Sequence, residues 1–144
     1  MKINFQKLNV RAIVPTYGTE HSAGIDMAAC IDEDIIIAPS QIVIIGTGLA
    51  MEIPNGYFGM LCPRSGLAAK FGITLLNSPG VIDSDYRGEI RAVMINHSNS
   101  SFRVSHGMRI AQLIISPFRT ATLEEVEGLE VSGRGSNGFG STGI

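Results

Sequence analysis

The sequence predicts an all-β domain with the architecture of a sandwich, jelly roll or barrel. Short runs rich in Ile and Val, a composition typical of strands, recur along the chain, and Pro, Gly, Asn or Ser bounds each run. These breakers follow one another so closely that strands fit between them, whereas helices of ordinary length do not. Many short strands at regular spacing are typical of the three architectures named. The clearest predicted strands span residues 35–37, 41–45, 57–62, 90–95 and 109–115.

One short helix is predicted, over residues 65–71. Ser65 is a residue type that commonly caps the N-terminus of a helix, because its hydroxyl can accept a hydrogen bond from a free backbone amide. Gly72 follows at the position where many helices end on a left-handed residue. The sequence therefore places a single helical turn or two inside a β domain.

The last part of the chain differs from the rest in composition. Six of the sixteen residues from 128 to 143 are glycine, and few are apolar. Such a segment is either a frayed tail or a mobile arm, and Phe139 between two glycines, with Arg134 upstream, favours an arm with a stacking ring and an anion-binding side chain. We expect a β domain over residues 1–127 and a flexible arm over residues 128–144.

Length and composition are those of one globular domain. The 144 residues have a mass of 15.4 kDa and are 44% hydrophobic but only 17% charged, below the roughly 25% of an average globular protein. The low charge suggests that part of the surface is covered in an oligomer. The net charge of −2 argues against a nucleic-acid polymer as partner, and the eight arginines against three lysines suit bidentate contacts with phosphate or carboxylate.

Cysteine usage and hydropathy indicate the compartment. The chain has two cysteines, Cys30 and Cys62, too few for a disulfide framework and without the C-x-x-C spacing of zinc or redox sites. It contains no run of 18 apolar residues. We therefore expect two reduced thiols, no membrane span, no secretion signal, and a location in the cytoplasm or an equivalent reducing compartment.

Five segments carry polar residues that a strand framework does not need. In the first, Asp26 stands alone among apolar neighbours, where it is either a turn carboxylate or the partner of hydrogen bonds or a cation. In the second, Arg64 and Ser65 lie at the start of the predicted helix. The backbone amides of Gly66 and Leu67 are expected to be unpaired at the N-terminal end of this helix. The Arg64 guanidinium, the Ser65 hydroxyl and these two amides can therefore bind one anion.

The third segment, residues 77–89, contains two acids and a tyrosine. A hairpin turn explains the two acids, Asp83 and Asp85, without any function, but it explains Tyr86 less well. A carboxylate beside phosphate-binding groups is also a natural general base for a water molecule. Both interpretations of this segment remain open from the residues alone.

The fourth segment lies on the last predicted strand. Strand alternation puts Gln112 on one face with Ile110 and Ile114, and Arg109 on the opposite face with Ala111 and Leu113. A glutamine on an isoleucine face needs a hydrogen-bond partner, so we expect its amide to be bonded. The fifth segment is the glycine-rich arm.

Together the five segments resemble the motifs of the trimeric dUTP pyrophosphatase (dUTPase) family. They read SAGIDMAA, PRSGLA, NSPGVIDSDYRGE, GMRIAQL and RGSNGFGSTG in order, within residues 22–143. The resemblance implies a distorted β-barrel or jelly roll, a homotrimer whose active sites are each built from three subunits, and hydrolysis of dUTP to dUMP and pyrophosphate with Mg²⁺. That reaction limits uracil incorporation into DNA and supplies dUMP for dTMP synthesis.

The resemblance also implies roles for the residues around the phosphates. Asp83 matches the general base that activates the water attacking the α-phosphorus. Asp26 matches the acid that holds the hydration shell of the metal through water. The residues that match the family's phosphate contacts are Arg64, Ser65, the amide of Gly66, and Gln112.

Selectivity for the nucleoside is implied to reside in the third segment. Its hairpin, with Gly80 and Ile82, matches the main-chain groups that pair with uracil, and Asn77 matches a residue at the uracil edge. Tyr86 matches the ring that packs beneath deoxyribose and excludes a 2′-hydroxyl. The matching arm residues are Arg134 for the γ-phosphate, Phe139 for the base, and Gly140, Ser141 and Thr142 near the nucleotide.

Two other functions are considered beside the hydrolase. A nucleotide-binding regulatory protein would keep the fold and the pocket and would sense dUTP without turnover. A dCTP deaminase-like enzyme, from the same structural superfamily, would release ammonia. The base Asp83 and the uninterrupted set of five motifs favour the hydrolase over both.

Overall fold

The computed structural model describes residues 1–138 and 141, and places twelve strands and one helix in them. The helix α1 (Ser65–Phe71) lies between the seventh and eighth strands. The strands are β1 (Asn4–Lys7), β2 (Thr16–Tyr17), β3 (Ile25–Ala28), β4 (Ile35–Ile37), β5 (Ile42–Gly46), β6 (Leu49–Glu52), β7 (Tyr57–Cys62), β8 (Ile73–Leu75), β9 (Gly80–Ile82), β10 (Arg91–Asn96), β11 (Phe102–Val104) and β12 (Arg109–Pro117). This confirms the all-β class with one short helix.

The five strands predicted from Ile- and Val-rich runs are all present, as β4, β5, β7, β10 and β12. Their ends differ from the predicted ones by two residues at most, because hydrogen bonding continues a little past the hydrophobic run. The seven other strands are two to four residues long and, unlike the equally short β4, contain no run of three Ile or Val residues.

Every strand pair is antiparallel, and the strands form four small sheets. The largest sheet has the order β2-β3-β12-β7-β9, so β12 lies between β3 and β7. Gln112 on β12 pairs with Asp26 on β3 and with Cys62 on β7. This sheet therefore brings the first, second and fourth polar segments side by side.

A β-bulge interrupts the pairing of β12 with β3. Arg109 pairs with Ala28 and Ala111 with Met27, which leaves Ile110 as the extra residue. Paired residues share a face, and Ala28 lies on the same face of β3 as Asp26, so the bulge moves Arg109 to the face that carries Gln112. The prediction that Arg109 shares a face with Ala111 and Leu113 is therefore wrong, because regular alternation does not continue through a bulge.

The inner faces of the four sheets share one hydrophobic core. Its largest buried side chains are isoleucines, leucines and methionines from several sheets, and Leu67 of α1 packs against them.

Asn96 is a polar side chain buried at the end of β10. Its amide donates to the carbonyls of Ile37 and Ser100 and accepts from Ser98, so its burial is compensated.

Only the C-terminal end of α1 agrees with the prediction from the sequence. Gly72 closes the helix in the left-handed conformation with φ of 66°, as predicted. The N-cap position, however, belongs to Arg64, and no side chain caps the helix there. The prediction that Ser65 is the N-cap is wrong, because the helix includes Ser65 as its first residue. In the described part of the chain, no helix is long and apolar enough to cross a membrane.

The chain beyond β12 has no strand or helix in its described residues. The amide of Phe118 donates to the Gly56 carbonyl at 3.0 Å and its ring contacts Phe58 edge-on. From residue 119 to 138 the hydrogen bonds are local, as between Arg134 Nε and the Asn137 carbonyl at 2.8 Å. The exposed segment begins at Pro117, and the division between residues 127 and 128 stays a prediction.

Candidate active site

A polar pocket of about 370 Å³ opens where β3 and β12 meet the start of α1. It contains all five residues that the sequence assigned to phosphate and metal in the first, second and fourth segments. Its lining residues are Gly18, Ser22, Ala23, Gly24, Asp26, Arg64, Ser65, Gly66, Arg109, Gln112 and Ile114. We call it the arginine pocket.

Asp26 is held between two arginines at the floor of the arginine pocket. Arg64 Nε donates to Asp26 Oδ1 at 3.1 Å, and Arg109 Nη1 donates to Asp26 Oδ2 at 2.9 Å. The Asp26 side chain is 15% exposed, against 27% for Arg64 and 57% for Arg109. Two guanidinium groups around one carboxylate leave a net positive charge, so the pocket suits an anion.

Gln112 is bonded, as the sequence predicted. Its Nε2 donates to the carbonyl of Pro63 at 3.0 Å. Pro63 directly precedes Arg64 in the chain. The hydrogen bond ties β12 to the loop that leads into α1 and compensates the polar group on an isoleucine face. Burial raises the pKa of the neighbouring Cys62 thiol, which favours its protonated form.

The helix start contributes less to the pocket than predicted. The amide of Leu67 donates to the Arg64 carbonyl at 3.1 Å, so it is already bonded and is not free to meet an anion. Ser65 and Gly66 are exposed at the pocket wall and can reach a ligand through a hydroxyl and an amide. Ser65 and Gly66 thus line the pocket, and their binding of an anion stays a prediction, whereas the prediction of a free amide is wrong for Leu67.

A second pocket, of about 340 Å³, lies beside the turn that follows β9, in the segment predicted as a hairpin. It contains Asp83 and Tyr86 from the third segment. The other lining residues are Ile44, Val81, Ile82, Glu89 and Arg91. We call it the hairpin pocket.

The hairpin pocket presents an exposed carboxylate beside a fixed ring. Asp83 is exposed, and its carbonyl accepts a hydrogen bond from the Tyr86 amide at 3.2 Å across the turn. The Tyr86 hydroxyl donates to the Glu89 carbonyl at 3.0 Å. Gly88 lies directly under the ring, where a β-carbon would collide with the Tyr86 hydroxyl. The ring therefore has a defined position that only glycine at residue 88 allows.

Asn77 and Gly80 lie just before the hairpin pocket. Gly80 is buried and pairs with Leu61, and its neighbour Asn77 is exposed. A β-carbon on Gly80 would lie 3.3 Å from Asn77 Nδ2, so the Asn77 amide folds back over the glycine. This places the side chain of Asn77 at the start of β9, the strand that leads directly into Asp83.

The two pockets are separate within one chain and share no lining residue. Ile82 pairs with Gly59 on one edge of β7, and Gln112 pairs with Cys62 on the other edge. Three residues along a strand and two strand spacings across it put about 14 Å between the Cα atoms of Ile82 and Gln112. The single chain thus does not bring Asp83 and Tyr86 to Arg64, Ser65 and Gln112.

The arm is only partly placed. Arg134 is exposed and bonded to the nearby Asn137 carbonyl, and Ser141 donates from its amide to the Gly138 carbonyl at 3.0 Å. The predicted residues Phe139, Gly140 and Thr142 lie outside the described residues. Arg134 and Ser141 do not line either pocket.

Sequence reasoning missed three charged residues of these pockets. Arg109 belongs to the fourth motif, but no role was predicted for it, because regular strand alternation placed its side chain on the wrong face of β12. Glu89 and Arg91 line the hairpin pocket and form an ion pair at 3.2 Å between Arg91 Nε and Glu89 Oε2. In the sequence, Glu89 and Arg91 could have been recognised as charged residues that come directly after the Tyr86-Arg87-Gly88 turn.

The arginine pocket fits a magnesium ion only if the ligand supplies most of its donors. Within residues 1–138 and 141, no group of three or more His, Cys, Asp or Glu could hold a metal. Asp26 offers one carboxylate, already bonded to two arginines. Mg²⁺ prefers phosphate oxygens and retained waters and needs few protein carboxylates, so one such acid acting through water is compatible with it.

The fold and the two pockets define a β protein that binds a phosphorylated small molecule. The sequence profile of the dUTPase family matches residues 10–143, nearly the whole chain. A deoxyuridine 5′-triphosphate nucleotidohydrolase of Nautilia profundicola is 52% identical over 143 residues, which cover 99% of both chains. One of Syntrophotalea carbinolica is 48% identical, covering 99% of this chain and 97% of the other. The chain therefore belongs to the dUTPase family.

Solved structures agree with this assignment. The dUTPase of Staphylococcus bacteriophage 80alpha with bound dUpNHpp superimposes with a TM-score of 0.91 at 29% identity, covering 99% of both chains. The dUTPase of phage phi11 of S. aureus has the same fold, with a TM-score of 0.83 at 24% identity. The predicted fold class, that of the dUTPase jelly roll, is thereby confirmed.

Proposed function

We propose that this protein hydrolyses dUTP to dUMP and pyrophosphate. The observation that carries the proposal is the 52% identity, over 99% of both chains, with a protein named deoxyuridine 5′-triphosphate nucleotidohydrolase. The two pockets support it, because one is lined by arginines suited to a triphosphate and the other combines a carboxylate with an aromatic ring. The protein is a hydrolase of nucleotide metabolism.

The arginine pocket binds the triphosphate. Arg64 has donors left beyond those used on Asp26, and they meet the α- and β-phosphates together with the Ser65 hydroxyl and the Gly66 amide. Gln112 contacts a phosphate or a water of the site. Asp26 would hold the hydration shell of Mg²⁺ through water, and the ion, when bound, would neutralise phosphate charge.

Asp83 acts as the general base. Its exposed carboxylate accepts a proton from the attacking water, whose oxygen forms a new bond to the α-phosphorus. The bond from that phosphorus to the α,β-bridging oxygen breaks, and pyrophosphate leaves with the electron pair. Catalysis in such a displacement rests on positioning and charge stabilisation, so the hydrogen-bonded turn that holds Asp83 is part of the mechanism.

The hairpin selects the nucleoside. Main-chain groups at Gly80 and Ile82 have fixed donor and acceptor polarity, which pairs with uracil and rejects the amino group of cytosine. Asn77 lies at the edge of the base. The Tyr86 ring, fixed by its bond to the Glu89 carbonyl, packs under deoxyribose and leaves no room for a 2′-hydroxyl.

Each complete site is shared between subunits of a homotrimer. The separation of the two pockets supports this arrangement, because the hairpin pocket and the arginine pocket share no lining residue and about 14 Å separates the Cα atoms of Ile82 and Gln112 within one chain. The hairpin pocket of one subunit faces the arginine pocket of the next. The arm of a further subunit closes the site, with residues 128–144 as its extent.

The arm supplies the closing contacts. Arg134 binds the γ-phosphate and Phe139 stacks on the base, while Gly140, Ser141 and Thr142 lie along the nucleotide. Arg134 and Ser141 are exposed, and their hydrogen bonds among the described residues stay within their own segment, which is compatible with a segment that closes on a ligand. The cytoplasmic location and the supply of dUMP for dTMP synthesis stay predictions.

A substrate panel tests the proposal directly. The protein is incubated with Mg²⁺ and with dUTP, dCTP, UTP or dTTP, and pyrophosphate, nucleoside monophosphate and ammonia are measured in parallel. We expect one pyrophosphate and one dUMP per dUTP, and little turnover of the others. Ammonia from dCTP would identify a deaminase, and tight dUTP binding without pyrophosphate would identify a regulatory protein.

A further inference from the structure

We infer that Arg109 is a positioning residue of the arginine pocket, which orients Arg64 toward phosphate by way of Asp26. The inference rests on the proposed function, since it assumes a phosphate ligand in this pocket. It assigns a role to a residue that regular strand alternation places on the opposite face. Three contacts around Asp26 carry it.

The β-bulge at Ile110 is what delivers Arg109 to the pocket. Without the extra residue, Arg109 and Gln112 would point to opposite faces of β12, because they are three positions apart. With it, Arg109 pairs with Ala28 on the face of Asp26. Bulges commonly re-aim a side chain next to a binding site, and this one is placed between the two functional side chains of β12.

Arg109 is linked to Arg64 in two ways, through the Asp26 carboxylate and through its own carbonyl. Its Nη1 donates to Asp26 Oδ2 at 2.9 Å, and Arg64 Nε donates to the other oxygen at 3.1 Å. The carbonyl of Arg109 also accepts from Arg64 Nη1 at 3.4 Å. Arg64 is therefore fixed on its inner side by the carboxylate and by a carbonyl of the bulged strand.

Asp26 and Arg109 differ in exposure, and this difference shows which side of the carboxylate each arginine covers. Asp26 is 15% exposed and Arg109 is 57% exposed, so the second guanidinium covers the carboxylate from the solvent side. If the Arg109 side chain is removed, Asp26 is free to take both oxygens to Arg64 as a bidentate pair. Arg64 would then turn donors inward that otherwise face the ligand, and phosphate would bind more weakly.

A double-mutant cycle on Arg109 and Asp26 tests the inference. Inorganic pyrophosphate is titrated calorimetrically into the natively assembled, full-length protein without Mg²⁺. KM and kcat for dUTP are measured separately, with Mg²⁺ present. We expect Arg109→Gln to weaken pyrophosphate binding and raise KM about tenfold, with kcat changed much less. Arg109→Lys should restore part of the loss. In an Asp26→Asn background, Arg109→Gln should change pyrophosphate affinity less than about twofold.

Matched controls separate the outcomes. Arg103→Gln removes another surface arginine in a carboxylate pair, 3.2 Å from Asp34 on the far β4–β11 sheet, and should leave binding unchanged. Equal losses from Arg109→Gln with and without Asp26 would overturn the positioning role and indicate direct contact with the ligand. No loss in the single variant would overturn any role. A wild-type protein that binds pyrophosphate but does not hydrolyse dUTP would contradict the proposed function alone.

Discussion

Gly24 and Gln112 approach so closely that no larger residue fits at Gly24. A β-carbon on Gly24 would lie 2.5 Å from Gln112 Oε1 and 3.1 Å from Gln112 Cβ. The glycine thus leaves space on the β3 side of β12 for the Gln112 side chain, whose amide donates to the Pro63 carbonyl at the end of β7, on the other side of β12. The first motif shapes the arginine pocket through an absent side chain as well as through Asp26.

Gly24→Ala should therefore damage the site more than the fold. The amide of Gln112 would be displaced from Pro63, and small displacements of positioning groups can cost on the order of a hundredfold in rate. We expect dUTP turnover to fall about ten- to a hundredfold with the protein still folded by circular dichroism. Full activity of Gly24→Ala would show that Gln112 needs no such room.

Asp83→Asn should remove the general base while keeping the shape of the hairpin. General bases contribute about 10²- to 10⁴-fold, so turnover should fall at least about a hundredfold with dUTP binding largely retained. Asp85→Asn, two residues further on, serves as the control and should stay near wild type. Both are measured by pyrophosphate release and by binding of a non-hydrolysable dUTP analogue. Near-normal turnover of Asp83→Asn would transfer the role to another group.

Tyr86→Ala should relax discrimination against UTP more than it weakens dUTP binding, because the ring acts by filling space. Tyr86→Phe keeps the ring and removes only the hydroxyl that donates to Glu89, so it should keep most of the discrimination. Competition kinetics between dUTP and UTP measure both effects. An unchanged preference in Tyr86→Ala would mean that another part of the site recognises the sugar.

Truncation after Ser132 should leave a folded protein that has lost most of its turnover. The described residues beyond Phe118 form no strand, so their removal exposes little of the core. Stacking of a base on an aromatic ring is worth about 1–3 kcal/mol, which the truncated protein would lose. Arg134→Ala should lose activity with dUTP and hardly change dUMP binding, whereas Arg119→Ala should change neither. A truncated protein with the full rate would identify a frayed tail.

Local sequence predicted the parts of the fold that depend on local chemistry. The long strands followed from their Ile- and Val-rich runs, and Gly72 from its place after a helical stretch. The bulge at Ile110 could not be predicted, because it depends on how β12 pairs with a strand some eighty residues away. For the same reason the ion pair of Arg109 with Asp26 was missed.

The separation of the two pockets also lay beyond the residues themselves. The motifs list the polar groups of a site but carry no distances, and only the register of β9, β7 and β12 separates Asp83 from Gln112. The resemblance to trimeric enzymes supplied the expectation of shared sites. The geometry of the single chain gives that expectation a physical reason.

Subunit complementation tests the central claim, that one active site takes Asp83 and Arg64 from different chains. Asp83→Asn and Arg64→Gln chains are co-expressed with different tags, and assemblies carrying both tags are purified, with their mass checked against three times that of the chain. In a mixed cyclic trimer about one site in three receives intact Asp83 and intact Arg64, so activity should return to roughly a third of wild type. Mixed assemblies no more active than the two parent variants would contradict the claim.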